Sequence, residues 1–236
     1  GREEVDPDRI GVVGISLGAV ISPIALAVEP RFKVGVLVLG GGDLDRIGRQ
    51  GLAFLRSGWR PPEISPQMRQ QMRLIEPLEF ARHASEKRVL MINARYDLVI
   101  PRESAEALWR AFGRPKIIWL DTGHYGARLG KGKVYSVVES FLMNEFGLRS
   151  GPLPSLKLPG IHLGVTWLAH GETRIFAGLH LAQLGRRGDV NLSLGNRGVF
   201  IDAVVELWPP FVAGLSLYRW HGATKVTPMG GLQLTF

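Results

Sequence analysis

The chain has 236 residues, 45% of them apolar, no cysteine and a formal charge of +8 at pH 7. That apolar share supports one medium domain, or a domain with a smaller module, and disfavours disorder. The missing cysteines exclude disulfides, thiolate metal sites and a cysteine nucleophile, and leave the compartment, cytoplasmic or extracytoplasmic, open. The 29 Lys and Arg are scattered, not gathered into runs or stripes with aromatics, so they read as a solvated surface and nucleic acid is not an expected partner. No stretch approaches the ~20 apolar residues of a membrane-spanning helix and no basic-then-apolar leader opens the chain. The first residue is Gly1, which together with the fold argument below leads us to expect a piece of something longer.

Residues 1–148 alternate short apolar runs with helical patterns, the sign of βα units and a parallel sheet. Ile10 to Ile15 (IGVVGI) is a buried strand by its length and its apolar residues on both faces. Leu17 to Val28 suits a buried helix despite Pro23, and Glu29-Pro30 stops it. Phe32 to Leu39 is a second strand, closed by Gly40, Gly41 and Gly42. Leu44 to Arg82 is longer than a connection needs; its Trp59-Arg60-Pro61-Pro62 and a helix around Gln67 to Ile75 suggest a cap over a pocket. Arg88 to Asn93 is a third strand, Glu103 to Phe112 a helix, Lys116 to Leu120 a fourth strand, and Val134 to Phe146 an amphipathic helix that closes the domain.

Residues 149–159, containing GPLPSLKLP, read as a linker. From 160 to 236 the pattern switches to period two: Ile161, Leu163, Val165 and Trp167 against His162, Gly164 and Thr166, then Val190, Leu192 and Leu194, then Val199 to Leu207. About five or six strands are expected. One reading is a small soluble β-sandwich or half-barrel. The other is a set of outer-membrane-type strands, apolar outward, with Trp and Tyr near strand ends and a closing Leu232-Gln233-Leu234-Thr235-Phe236; five or six strands fall short of the eight in the smallest barrels of that kind. Membrane association of this segment therefore stands as an open expectation.

The chemistry concentrates at strand ends. Gly14-Ile15-Ser16-Leu17-Gly18 is a G-x-S-x-G motif between a strand and a helix, the context in which a sharp turn exposes a serine hydroxyl and the following N–H, that of Leu17, can hold an oxyanion. Both glycines are expected to be required by the tightness of the bend. A serine needs a base and the base an orienting carboxylate. Asp97 lies just past the third strand and His124 just past the fourth, where catalytic groups of open parallel sheets gather, and the chain order Ser, acid, His is that of α/β-hydrolases. The plain alternatives are Asp97 as a turn or cap residue for the following helix and His124 as a satisfied loop histidine. Asp43, Asp45 and Asp121 are the competing carboxylates. His83, His162, His170, His180 and His221 show no metal-ligand spacing, so neither metal nor cofactor is expected.

These strings resemble the α/β-hydrolase superfamily, in the branch of dienelactone hydrolases, acetyl xylan esterases and prolyl oligopeptidases. Val5-Asp6-Pro7-Asp8-Arg9-Ile10-Gly11 resembles the approach to the nucleophile elbow, Glu76-Pro77-Leu78 with Phe80-Ala81 the prelude to the seventh strand, and Asp97 with Val99 and Pro101, and Gly123-His124-Tyr125, the acid and base motifs. The resemblance covers about residues 1–148 and implies the fifth to eighth strands of an eight-strand domain, with the first four and their oxyanion donor missing. It implies a serine hydrolase acting on a small carboxylic ester, less readily an amide, through an acyl-enzyme. The competing expectation is a catalytically incomplete binding module. Leu52, Phe54, Trp59, Met68 and Tyr125 are the candidate substrate contacts, and the bare edge of the first strand predicts self-association.

Overall fold

A computed structural model describes residues 5–51, 65–128, 130–158, 160–184, 188–196, 198–208, 210–220 and 223–235. Leu52, Phe54 and Trp59 lie outside these residues. By its packing the chain forms two units, Gly1–Leu120 with Ala127–Lys157, and Asp121–Gly126 with Leu158–Phe236.

The first unit is a parallel sheet of four strands in the order β1 (Ile10–Ile15), β2 (Phe32–Val38), β3 (Arg88–Ala94) and β4 (Lys116–Leu120). Its registers run Ile15 to Val38, Val38 to Ile92 and Ala94 to Leu120. The helices are α1 (Leu17–Val28), a single turn α2 (Leu44–Arg46), α3 (Pro66–Arg73), α4 (Pro77–His83), α5 (Arg102–Ala111) and α6 (Lys131–Glu145). Among the described residues there are also a π-turn at Ile47–Gly51 and a 3₁₀ turn at Gly126–Arg128.

Two glycines of β1 show that helices cover both sheet faces. A Cβ on Gly14 would meet Ser22 and Gly18 of α1, whereas one on Gly11 would meet Phe146 and Leu142 at 3.3 and 3.4 Å, at the end of α6. Positions three apart on a strand point to opposite faces. On the α1 side, Ala19, Leu26, Leu37, Ala81, Ala84, Val89, Met91, Leu108 and Phe112 form one buried cluster. Val36, Leu90 and Ile92, which alternate with its strand members, are also fully buried. β2 and β3 are therefore apolar on both faces, as a doubly covered parallel sheet requires.

Pro23 is accommodated inside α1. It removes one backbone donor, and immediately before it the Ser22 hydroxyl donates to the Gly18 carbonyl at 2.7 Å. β1 pairs only with β2 among the described residues, and Val13 and Ile15 on it, with Leu17, Ile21 and Val28 on α1, are exposed.

The second unit corrects the expected sandwich or half-barrel. Six antiparallel strands, β5 (Ile161–Leu168), β6 (Thr173–Leu184), β7 (Gly188–Gly195), β8 (Gly198–Trp208), β9 (Phe211–Trp220) and β10 (Ala223–Thr235), close into a barrel. Closure is made by β10 against β5, with Leu232 opposite Val165 and Leu234 opposite Leu163. That contact joins the ends of the segment and removes both sheet edges. The alternation is resolved with polar residues inside: His162, Thr166, Arg174, Asn191, Ser193, Asp202 and Ser216 are buried, beside an internal cluster of Leu168, Phe176, Phe200, Val204, Val212, Tyr218 and Met229.

Candidate active site

Ser16 sits between the last residue of β1 and the first of α1, at φ 54° and ψ −115°. A non-glycine residue with positive φ is rare and costs on the order of 1–3 kcal/mol unless its surroundings impose it. Here they do. The Ser16 N–H donates to the Val38 carbonyl at 2.8 Å, extending the β1–β2 ladder through the serine, while its own carbonyl already accepts from Ala19 and Val20 at 2.9 and 3.1 Å. The residue is thus the last of a strand and the start of a helix at once, and only a sharp bend satisfies both. Its side chain does not cap α1, and the first turn of the helix carries no acidic residue, so no side chain of that turn offsets the positive end of the helix dipole. Leu17, whose N–H is the candidate oxyanion donor, opens that turn, and its side chain is exposed.

The two motif glycines do different work. Gly14 is locked against Ser22 and Gly18, whose carbonyl carbon lies 2.5 Å from where its Cβ would be; Gly18 has nothing within 4 Å. The expectation that both are sterically required is corrected for Gly18, which is an ordinary helical residue facing open space among the described residues.

Asp97 follows β3 and is buried, its Oδ1 accepting from the N–H groups of Val99 at 2.9 Å and Ile100 at 2.8 Å. These bonds turn the loop that leads to Pro101, which caps α5; the aspartate organises its own loop and is not the helix cap. Asp43 and Asp45 are engaged elsewhere, Asp43 capping α2 and bonding Arg46 at 3.1 Å, and Asp45 pairing with Arg49 at 2.6 Å. Asp121 directly follows β4 and is half-buried.

His124 lies four residues past β4, buried, with its ring edge-on to that of Tyr125 at 5.4 Å between centroids. Its loop, Asp121–Gly126, packs with the second unit. Ser16 and Asp97 belong to the first unit and leave the same edge of the sheet, one strand apart on either side of β2. That separation is two strand spacings, roughly 10 Å. Met68 is exposed on α3, with its N–H donating to Ser65, and Tyr125 is exposed as well.

Between the ends of β1 and β3 lies a support that sequence reasoning did not assign. Each residue of the Gly40–Gly42 run after β2 has a Cβ position already occupied: by Ala19 of α1, by Ile100 and Ser104 at the start of α5, and by Leu78 of α4. The Asn93 side chain donates to the Gly40 carbonyl at 2.7 Å. The Glu76 carboxylate accepts from the N–H groups of Asp43, Leu44 and Leu78 at 2.8, 2.9 and 3.2 Å. Glu76 thereby ties the loop after β2 to α4. Its place before Pro77, at a helix start, was the available signal.

No family model matches the chain. Over 129 residues it is 29% identical to an uncharacterized protein found in two strains of Mycobacterium tuberculosis, covering 53% of this chain and 30% of that protein. The chain thus spans less than a third of the length of these curated relatives. A puromycin hydrolase superposes with a TM-score of 0.52 at 19% identity, over 65% of this chain and 24% of its own. An acylaminoacyl peptidase of Pyrococcus horikoshii gives 0.52 at 19% identity, over 64% and 26%. An esterase of Pyrococcus furiosus gives 0.44 at 19% identity, over 58% and 53%. Over about two thirds of its length the chain has the fold of part of an α/β-hydrolase.

Proposed function

We propose that the chain carries the nucleophile, acid and base of a serine hydrolase that cleaves a carboxylic ester, and an amide less readily, through an acyl-enzyme. The observation that carries the reading is the backbone of Ser16, a strained positive-φ serine between a parallel strand and a helix start, inside G-x-S-x-G. In this reading Ser16 Oγ attacks the carbonyl, His124 takes the proton and returns it to the leaving group, and Asp97 holds the imidazole tautomer. Leu17 N–H, at the positive end of α1, stabilises the developing oxyanion. Asp97 keeps Oδ1 on its loop, so the imidazole would be oriented by the other carboxylate oxygen. Tyr125, Met68 and Trp59 remain proposed substrate contacts, with no metal or cofactor in the scheme.

Turnover of p-nitrophenyl esters of graded acyl length tests the proposal. Ser16→Ala and His124→Ala should each lower kcat/KM by on the order of 10⁴-fold or more, since removing either member disables the pair. Activity that survives both substitutions would refute it. The exposed β1 and the open space at Gly18 favour a second reading, an incomplete hydrolase-fold module; it predicts a Ser16 that reacts with a fluorophosphonate but turns over no ester.

A further inference from the structure

We propose that the outer wall of the β5–β10 barrel is a lipid-contacting surface and that the barrel sits in a bilayer by its strands. The wall is apolar on every strand. Cross-strand pairing carries the apolar positions round it: Leu163 beside Ala177, Ala177 beside Leu194, Leu194 beside Val199. A second ring runs Leu192, Ile201, Leu217, Val226. Ile175, Leu194 and Val199 are 65, 64 and 61% exposed, so these side chains point out of the barrel. Among the described outward positions the single charge is Arg219, paired with Thr224 near one rim.

The charged and hydrogen-bonding side chains point the other way. Arg174, 1% exposed, bonds Glu172 at 3.2 Å and Ser216 at 3.1 Å, and its guanidinium lies 3.9 Å from the Tyr218 ring centroid. His162 is fully buried and its Nε2 lies 3.1 Å from Ser193 Oγ. A small barrel in water puts these classes of residue the other way round.

Three further features fit a bilayer. Every strand has partners on both sides, which a hydrocarbon medium demands of strands. The strands are 8 to 13 residues long, around the 9–11 that a tilted strand needs to cross. Among the described residues the apolar wall, with Arg219 near one rim as its single charge, extends round all six strands, which matches acyl chains; a second copy would cover one side. Six strands are fewer than the eight of the smallest barrels of this type, and the interior is filled with side chains accordingly.

The test is flotation of the full chain with vesicles of phosphatidylcholine and phosphatidylglycerol, followed by a carbonate wash. The wild type should float and resist the wash. Ile201→Arg, on the outward ring that runs Leu192, Ile201, Leu217, should lower the bound-to-free ratio about thirty-fold, which is about 2 kcal/mol at 1.4 kcal/mol per factor of ten. Leu217→Arg should do the same, and Thr173→Arg, at a rim, should have little effect. A wild type that stays monodisperse in buffer and does not float overturns the proposal, as does flotation indifferent to both Ile201→Arg and Leu217→Arg. A detergent-independent dimer that is lost in Ile201→Arg would assign the wall to a second copy and overturn it too. The wild-type arm decides the matter even if a variant fails to fold.

Discussion

Replacing Gly14 by alanine separates a steric requirement from a motif habit. The new Cβ would collide with Ser22 Oγ and the Gly18 carbonyl, whose carbon is 2.5 Å away. Carbon atoms prefer about 3.5–4.0 Å, so α1 must retreat from β1 by roughly 1 Å. Overpacking of that size costs about 1–3 kcal/mol. Because Ser16 is held between the two elements, it moves too, and a displacement of about 1 Å in a reacting group can cost on the order of 10²-fold in rate. Gly18→Ala meets nothing within 4 Å and sits in a helix, where alanine is better than glycine by about 1 kcal/mol. Gly14→Ala should therefore lower the urea midpoint and slow fluorophosphonate labelling about a hundredfold, while Gly18→Ala leaves labelling intact and stability equal or higher. Equal behaviour of the two variants, in either direction, would refute the steric argument.

Ser16→Gly should raise stability by about 1 kcal/mol in urea unfolding, because glycine accepts positive φ without strain, while abolishing labelling. Glu76→Ala strips three backbone N–H groups of their acceptor and should cost about 2 kcal/mol, with Glu76→Gln recovering part of it. Glu29, whose carboxylate accepts from the Arg31 side chain and backbone, is pulled from 4.5 to about 2. Because its pKa is lowered on folding, its contribution is fully present above about 4.5 and lost as the pH falls toward 2; an NMR titration should find it near 2, and Arg31→Ala should return it to its ordinary range. Val13→Lys places a charge on the exposed edge strand and should reduce self-association measured by light scattering.

The elements most legible in the sequence are those whose signal is local. β1, α1 and β4 fall on the expected residues, because apolar runs bounded by a motif serine, a Glu-Pro stop or a polar turn leave little choice. α6 begins three residues before its first apolar contact at Val134, since Lys131 and Lys133 extend a helix without contributing to its apolar stripe. What the sequence left open depends on pairing over distance. Leu232 to Phe236 reads as a closing strand, but no residue near Leu232 announces that its partner is Val165, so half-barrel and barrel stay open until β10 is paired with β5. The same holds for the site: the positions of Ser16 and Asp97 follow from strand ends, whereas the Glu76 clamp on Asp43 and Leu44 links segments more than thirty residues apart and has no periodicity to reveal it. Gly14 and Gly18 look equivalent as letters and differ only in what surrounds them.

The most direct test of the central claim is peptide mapping of the fluorophosphonate adduct on the folded chain. One adduct is expected, on the peptide bearing Ser16, absent in Ser16→Ala and strongly reduced in both Asp97→Ala and His124→Ala. An adduct on another serine, or labelling of Ser16 unchanged when His124 is removed, would contradict it.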